Sequence, residues 1–289
     1  MNNILVATLG GLSALVLWGI SDWLTGKASK KYEASVVNLT VQISGVSLMA
    51  LFWAISGEPI PNMNQLFILI LTSVFFTVAY LSFIKSLSTG EAGIIVPLAN
   101  TYPLITIVLT AIFLSLPFDA LQILSMLAII MGAILLGTER LNWMKTKNHL
   151  TKETILAFGA ALFWGLGFFT VNSVVDQLAW EPVLGVISIA MGFFALLIYV
   201  SKPRNNKRLR DVLDNRVGLV AGITLTFGSI AFYFASEVSG NVLIPAVIAA
   251  ASPLVTSLLG AIFDKERIIL SKRVGAVLVV IGVTLLNFV

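Results

Sequence analysis

The sequence predicts an all-α membrane protein: ten transmembrane helices in two inverted five-helix repeats, with both termini outside the cell. Three observations predict it. The 289 residues are 58% hydrophobic and 11% charged, where soluble chains carry roughly 25% charged residues. Too few charges remain to cover a soluble surface, and apolar runs of about twenty residues recur, each able to cross a layer roughly 30 Å thick. Second, the chain writes itself twice. Pro103-Leu104-Ile105-Thr106 returns as Pro253-Leu254-Val255-Thr256, and Gly132-Ala133-Ile134-Leu135-Leu136 as Gly282-Val283-Thr284-Leu285-Leu286. Trp18-Gly19 returns as Trp164-Gly165. Third, all 18 Lys and Arg fall at the odd-numbered joints between helices. Basic residues in short loops mark the cytoplasmic face. Five helices per copy is an odd number, so the second copy enters the membrane upside down. Residues 1–137 form the first repeat, 138–153 a cytoplasmic connecting loop and 154–289 the second repeat.

Taken in order, the first helix runs near 4–24. Met1-Asn2-Asn3 lacks the basic start of a cleaved signal peptide, so this segment stays as a span. It carries Trp18 and, near its basic inner end, Asp22, which Lys27 and the nearby lysines neutralise at the interface. The second helix (34–56) holds Asn38 and Gln42, four apart, expected to bond to a neighbouring helix. The third (64–87) carries Tyr80. The fourth (92–115) has Pro97 and Pro103, which remove amide donors and bend a helix, with Asn100, Thr101 and Tyr102 between them at mid-depth. A mid-membrane amide faces protein or water, where it finds partners. The fifth helix runs near 119–137. His149, in the loop that follows, has no metal-ligand spacing around it.

The sixth helix (154–175) places Trp164 where the first places Trp18. The seventh runs near 183–201, followed by the polar stretch 202–216, read as a loop. On the eighth (217–237), Thr226, Ser229, Tyr233, Ser236 and Glu237 share one face, which should turn to the bundle centre, with Glu237 at the outer end. The ninth (241–263) carries Pro245 and Pro253. Its counterparts of Asn100 and Thr101 are Ala250 and Ala251, so a site here is polar on one wall. The tenth runs near 268–288. Pro97, Pro103, Pro245 and Pro253 are the expected hinges, and the aromatic and polar residues named, Glu237 included, the expected cavity wall. Aromatic faces stack on planar groups and attract cations.

These motifs resemble the drug/metabolite transporter superfamily in its ten-helix EamA-type form. The matching stretches are Leu17-Trp18-Gly19-Ile20-Ser21-Asp22, Phe163-Trp164-Gly165, the two Pro-Leu-x-Thr helices, and Phe263-Asp264-Lys265-Glu266-Arg267 before a Gly-rich last helix. The resemblance spans the whole chain. It implies a basket of two five-helix EamA-type repeats around a cavity lined mainly by helices 1, 3, 4, 6, 8 and 9, with 5 and 10 at the back. The first copy departs from the pattern where Leu116-Pro117 stands opposite Glu266-Arg267, as expected of a joint on the outer face.

In function, the resemblance implies a carrier of small metabolites, in layout closest to exporters of aromatic and neutral amino acids, working by alternating access. Carriers of choline-like or drug cations, and a channel or scaffold without a switching cycle, are the alternatives. No ionisable residue stands at the midplane of any helix, which points to a neutral or zwitterionic solute. No phosphate-binding loop, nucleophile elbow or carboxylate pair suggests catalysis. No cofactor or metal is expected, and no nucleic-acid partner. The partners implied are a small-molecule substrate and the lipid bilayer of a prokaryotic inner (plasma) membrane, with the chain a monomer or a homodimer.

Overall fold

A computed structural model describes residues 3–90, 92–113, 119–137, 151–203, 206–240, 242–265 and 270–286. These form thirteen helices: α1 (Asn3–Lys31), α2 (Ala34–Ser56), α3 (Met63–Thr89), α4 (Ala92–Ala99), α5 (Tyr102–Phe113), α6 (Ala120–Gly137), α7 (Lys152–Asn172), α8 (Trp180–Val200), α9 (Asn206–Asp214), α10 (Arg216–Ser239), α11 (Leu243–Ala249), α12 (Pro253–Phe263) and α13 (Leu270–Leu286). Among the described residues, eight segments are long and apolar enough to cross a membrane, counting α4–α5 over 95–113 and α11–α12 over 243–263 as one each. The expected fifth and tenth spans appear as shorter apolar helices, α6 and α13. Most of the central loop with His149, the Leu116-Pro117 joint and Glu266-Arg267 lie outside the described residues.

Two expectations change. The fourth and ninth spans are each broken in two, not bent. Pro103 and Pro253 sit in the first turn of the restarted helices and return no amide to the turn before. Tight turn bonds take over: Thr101 N–H donates to Leu98 O (3.2 Å) and Ser252 N–H to Ala249 O (2.9 Å). The second change is in 202–216, where a short helix, α9, replaces the expected loop. Arg208 anchors it: its guanidinium donates to Ser35 Oγ (3.2 Å) and Tyr199 O (2.9 Å) and lies 4.4 Å from the centre of the Tyr199 ring.

The helices pack as reciprocal pairs. α1 lies on α10 as α7 lies on α3, while α6 meets α13 and α2 meets α8. Where α1 crosses α12 and α7 crosses α5, the same joint is made twice with partners exchanged. Thr106 Oγ1 donates to Gly165 O (3.2 Å), and Thr256 Oγ1 to Gly19 O (3.0 Å). A Cβ on Gly19 would fall 2.6 Å from Val255 Cβ, and one on Gly165 2.6 Å from Ile105 Cβ. Glycine permits these approaches because C–C contacts otherwise settle at about 3.5–4.0 Å. Small-residue crossings of this kind join helices in lipid, where burial of apolar surface gives no driving force. Gly132 and Gly282 do the same for α6 and α13: a Cβ on either would fall 2.7 Å from a carbonyl oxygen, of Gly275 and Ser125 respectively.

Candidate functional site

The two helix breaks meet. The Tyr102 hydroxyl, at the start of α5, donates to Ala246 O in α11 (3.1 Å), and Ser252 Oγ, in the second break, lies 3.3 Å from Asn100 Oδ1 in the first. Beside them opens a cavity of about 940 Å³, mouth included. Interrupted backbone at membrane depth is tolerated where protein or a cavity receives it, and here it has both.

Of the residues nominated from sequence, Trp18, Tyr80, Asn100, Tyr102, Trp164, Ser229 and Tyr233 line this cavity. Thr101 and Glu237 stand off it. The Thr101 hydroxyl donates to Leu98 O (2.7 Å). The Glu237 carboxylate accepts the Trp180 amide (2.9 Å) at the first residue of α8, satisfying one of the orphan donors of a helix N-terminus. Pro97, Pro103, Pro245 and Pro253 shape the broken spans without lining the cavity.

The aromatic wall is organised around Phe168, which the sequence reading passed over. Its ring stacks on Tyr102 at 4.8 Å and meets Phe76 edge-on at 5.1 Å; Phe232 is 5.2 Å and Trp18 6.3 Å away. The available signal was spacing, since Phe168 follows Trp164 by four and shares its helix face. Trp18 is held by an N–H bond to Leu225 O (3.3 Å) and by the bare Cα of Gly228, where a Cβ would come within 2.6 Å of the indole.

Helices α2 and α8 also contribute, through Gln42, Met49, Ser188 and Met191. Asn38 and Gln42 do not bond a neighbouring helix: among the described residues, neither polar atom of Asn38 has a partner, nor does Gln42 Nε2. The Tyr233 hydroxyl is likewise buried and unpartnered.

Asp22 also departs from the expected interfacial pairing. It faces the cavity and does not pair with Lys27; its carboxylate receives Ser252 Oγ at 3.2 Å. Lys27 instead binds Asp264 at 2.7 Å, and Trp23 Nε1 donates to the same carboxylate at 2.8 Å. The reason is helical geometry. Residues five apart on a 3.6-residue turn point about 140° apart, so Asp22 turns inward while Lys27 turns towards the end of α12. Ser252 also gives the second break a polar group that its Ala250-Ala251 pair lacks.

The same end of the bundle carries a second ion-pair group, Glu33 with Lys202 and Arg208. Lys202 chiefly, and Arg208 more weakly, hold the Glu33 carboxyl below the usual carboxylate range, as Lys27 and then Trp23 do for Asp264. Among the described residues, no group of three His, Asp or Glu side chains is placed to hold a metal ion.

Comparison with known proteins agrees with this architecture. A protein of Archaeoglobus fulgidus described as an uncharacterized transporter is 23% identical over 282 residues, 96% of each chain. A solved crystal structure superposes with a TM-score of 0.72 at 14% identity, covering 98% of this chain and 96% of its own, a likeness of fold. The profile of the EamA-like transporter family matches residues 5–138 and again 151–288. The chain is a multi-pass membrane protein and belongs to the EamA-like transporter family.

Proposed function

We propose that this protein moves a small metabolite, an amino acid, across a prokaryotic cell membrane by alternating access. The observation that carries the reading is the aromatic-walled cavity at the meeting point of two broken helices. In transporters, discontinuous helices and repeats of opposite orientation frame a central site. The reciprocal joints at Gly19 and Gly165 fit two such repeats, with α6 and α13 counted as the fifth and tenth spans. The basic joints would then be cytoplasmic and both termini outside. The cavity offers what a zwitterion needs: acceptor oxygens at Asp22 and Asn100 and, buried in its wall and unpartnered among the described residues, donors at Gln42 Nε2 and the Tyr233 hydroxyl.

A second reading, an organic-cation carrier, is favoured by one observation, the cavity-facing Asp22. The test is counterflow in proteoliposomes against a panel of amino acids, amines and sugar phosphates. Saturable exchange of amino acids supports the first reading, and exchange confined to amines the second. Flux that never saturates and shows no counterflow would indicate a channel.

A further inference from the structure

The cavity holds a group of oxygens short of hydrogens. Ser252 Oγ lies 3.2 Å from Asp22 Oδ2 and 3.3 Å from Asn100 Oδ1, and its single hydrogen can serve one of them at a time. Two neighbouring donors are committed elsewhere, and a third shares a bond that either partner can donate. Asn100 Nδ2 donates to Val96 O (2.8 Å), the Tyr102 hydroxyl to Ala246 O (3.1 Å), and the Tyr80 hydroxyl is paired with Thr25 Oγ1 (3.1 Å). Among the described residues no Lys, Arg or His lines the cavity, and Lys27 is bound to Asp264. A carboxylate in such surroundings lacks both a counter-charge and N–H donors, and a buried acceptor left without a donor is costly.

We propose that Asp22, Ser252 and Asn100 form an ammonium subsite, and that the solute carries a primary or secondary protonated amine. This rests on the transport reading above and adds to it the chemical class of the group recognised. An ammonium supplies the positive charge and two or three N–H donors that the three oxygens lack. Charge-assisted bonds of this kind are the strong ones. A quaternary ammonium brings charge without donors, and an alcohol one donor without charge. The body of the solute lies against Tyr102, Phe168 and Trp18, whose π faces also favour a cation nearby.

The experiment uses the purified full-length protein in detergent. Its intrinsic fluorescence reports on the cavity through Trp18 and Trp164. Four probes are titrated: 2-phenylethylamine, 2-phenylethanol, phenethyltrimethylammonium and sodium chloride. The subsite predicts saturable quenching by 2-phenylethylamine, at least tenfold weaker binding of the alcohol and the quaternary ion, and no saturable response to sodium. Asp22→Asn should lower affinity for the amine at least tenfold and leave the alcohol unchanged. Ser252→Ala should weaken the amine less, and Asp264→Asn, in the ion pair at the helix end, not at all. Equal binding of amine and alcohol by the wild-type protein overturns the proposal, and that comparison needs no variant to fold. A saturable sodium response without one to the amine overturns it as well. The two readings fail separately. Asp22-dependent amine binding without counterflow removes transport and keeps the subsite, whereas saturable counterflow of solutes indifferent to their amine removes the subsite and keeps transport.

Discussion

Replacing Gly19 by alanine tests the packing on which the cavity depends. A Cβ there would fall 2.6 Å from Val255 Cβ and 2.7 Å from the Ser252 carbonyl oxygen, about 1 Å inside normal contact. Neither neighbour is the free end of a flexible side chain, so α1 and α12 must separate. Overpacking of this kind costs about 1–3 kcal/mol, against a gain of about 1 kcal/mol from alanine's better helix propensity. Gly26 and Gly159 provide the reference, since a Cβ on either meets nothing within 4 Å, and their alanine variants keep the gain alone. The expected gap between Gly19→Ala and these references is therefore about 1–3 kcal/mol. At about 2–4 °C per kcal/mol, thermal unfolding followed by tryptophan fluorescence in one detergent resolves it. Gly165→Ala, pressed on Ile105 Cβ at 2.6 Å and Tyr102 O at 3.0 Å, should behave alike. If Gly19→Ala melts together with Gly26→Ala, the crossing is not packed as described, and the argument that places Ser252 against Asp22 goes with it.

Three further outcomes follow from particular contacts. Asp264 has its carboxyl held low, so the stability it contributes is full above the ordinary carboxylate pKa and is lost as pH falls through its lower folded value. The pair is about 40% exposed and therefore worth at most about 1 kcal/mol; an acid titration of melting temperature should show a small loss below about pH 4 that Asp264→Asn abolishes. Asn38→Leu should raise stability by about 1–3 kcal/mol, because a buried amide with neither end bonded is removed; a lower melting temperature would show that the amide is satisfied in the membrane. Glu237→Gln keeps a hydrogen-bond acceptor for Trp180 N–H and loses only the charge at the α8 N-terminus. It should cost about 0.3–1 kcal/mol and leave counterflow unchanged, and a transport defect would bring Glu237 into the pathway.

Much of this fold is legible in the chain because lipid leaves little choice. Segments that must satisfy their backbone internally become helices, and repeated Pro-Leu-x-Thr and Trp-Gly motifs state which helices correspond. The glycine joints follow from the same text: Gly19 and Gly165 stand beside the paired tryptophans. What the sequence hides is azimuth. Asp22 and Lys27 are near in number and belong to different faces, and proximity along the chain suggested a pair that geometry refuses. Asn38 and Gln42 misled for a related reason. Their four-residue spacing shows that they share a face and says nothing of what that face meets. Pro103 and Pro253 announce an irregularity, but whether a proline bends or breaks a span depends on the turns that can absorb the lost bond, and at Thr101 and Ser252 those turns close.

The two copies make the same joints and a different site: Asp22 in one stands where Phe168 stands in the other, and the breaks differ as well. Asn100-Thr101-Tyr102 in one faces Ala250-Ala251-Ser252 in the other. The first break supplies an amide oxygen and a phenol. The second supplies small side chains that clear space, and one hydroxyl that bridges to Asp22. Had both breaks carried Asn and Tyr, the crossing would be filled and little room would remain for a solute. Had both carried Ala and Ser, the pocket would lack the stacking surface of Tyr102 on Phe168 and the acceptor of Asn100. The joints make the frame near-symmetric, while the lining presents different groups on its two sides.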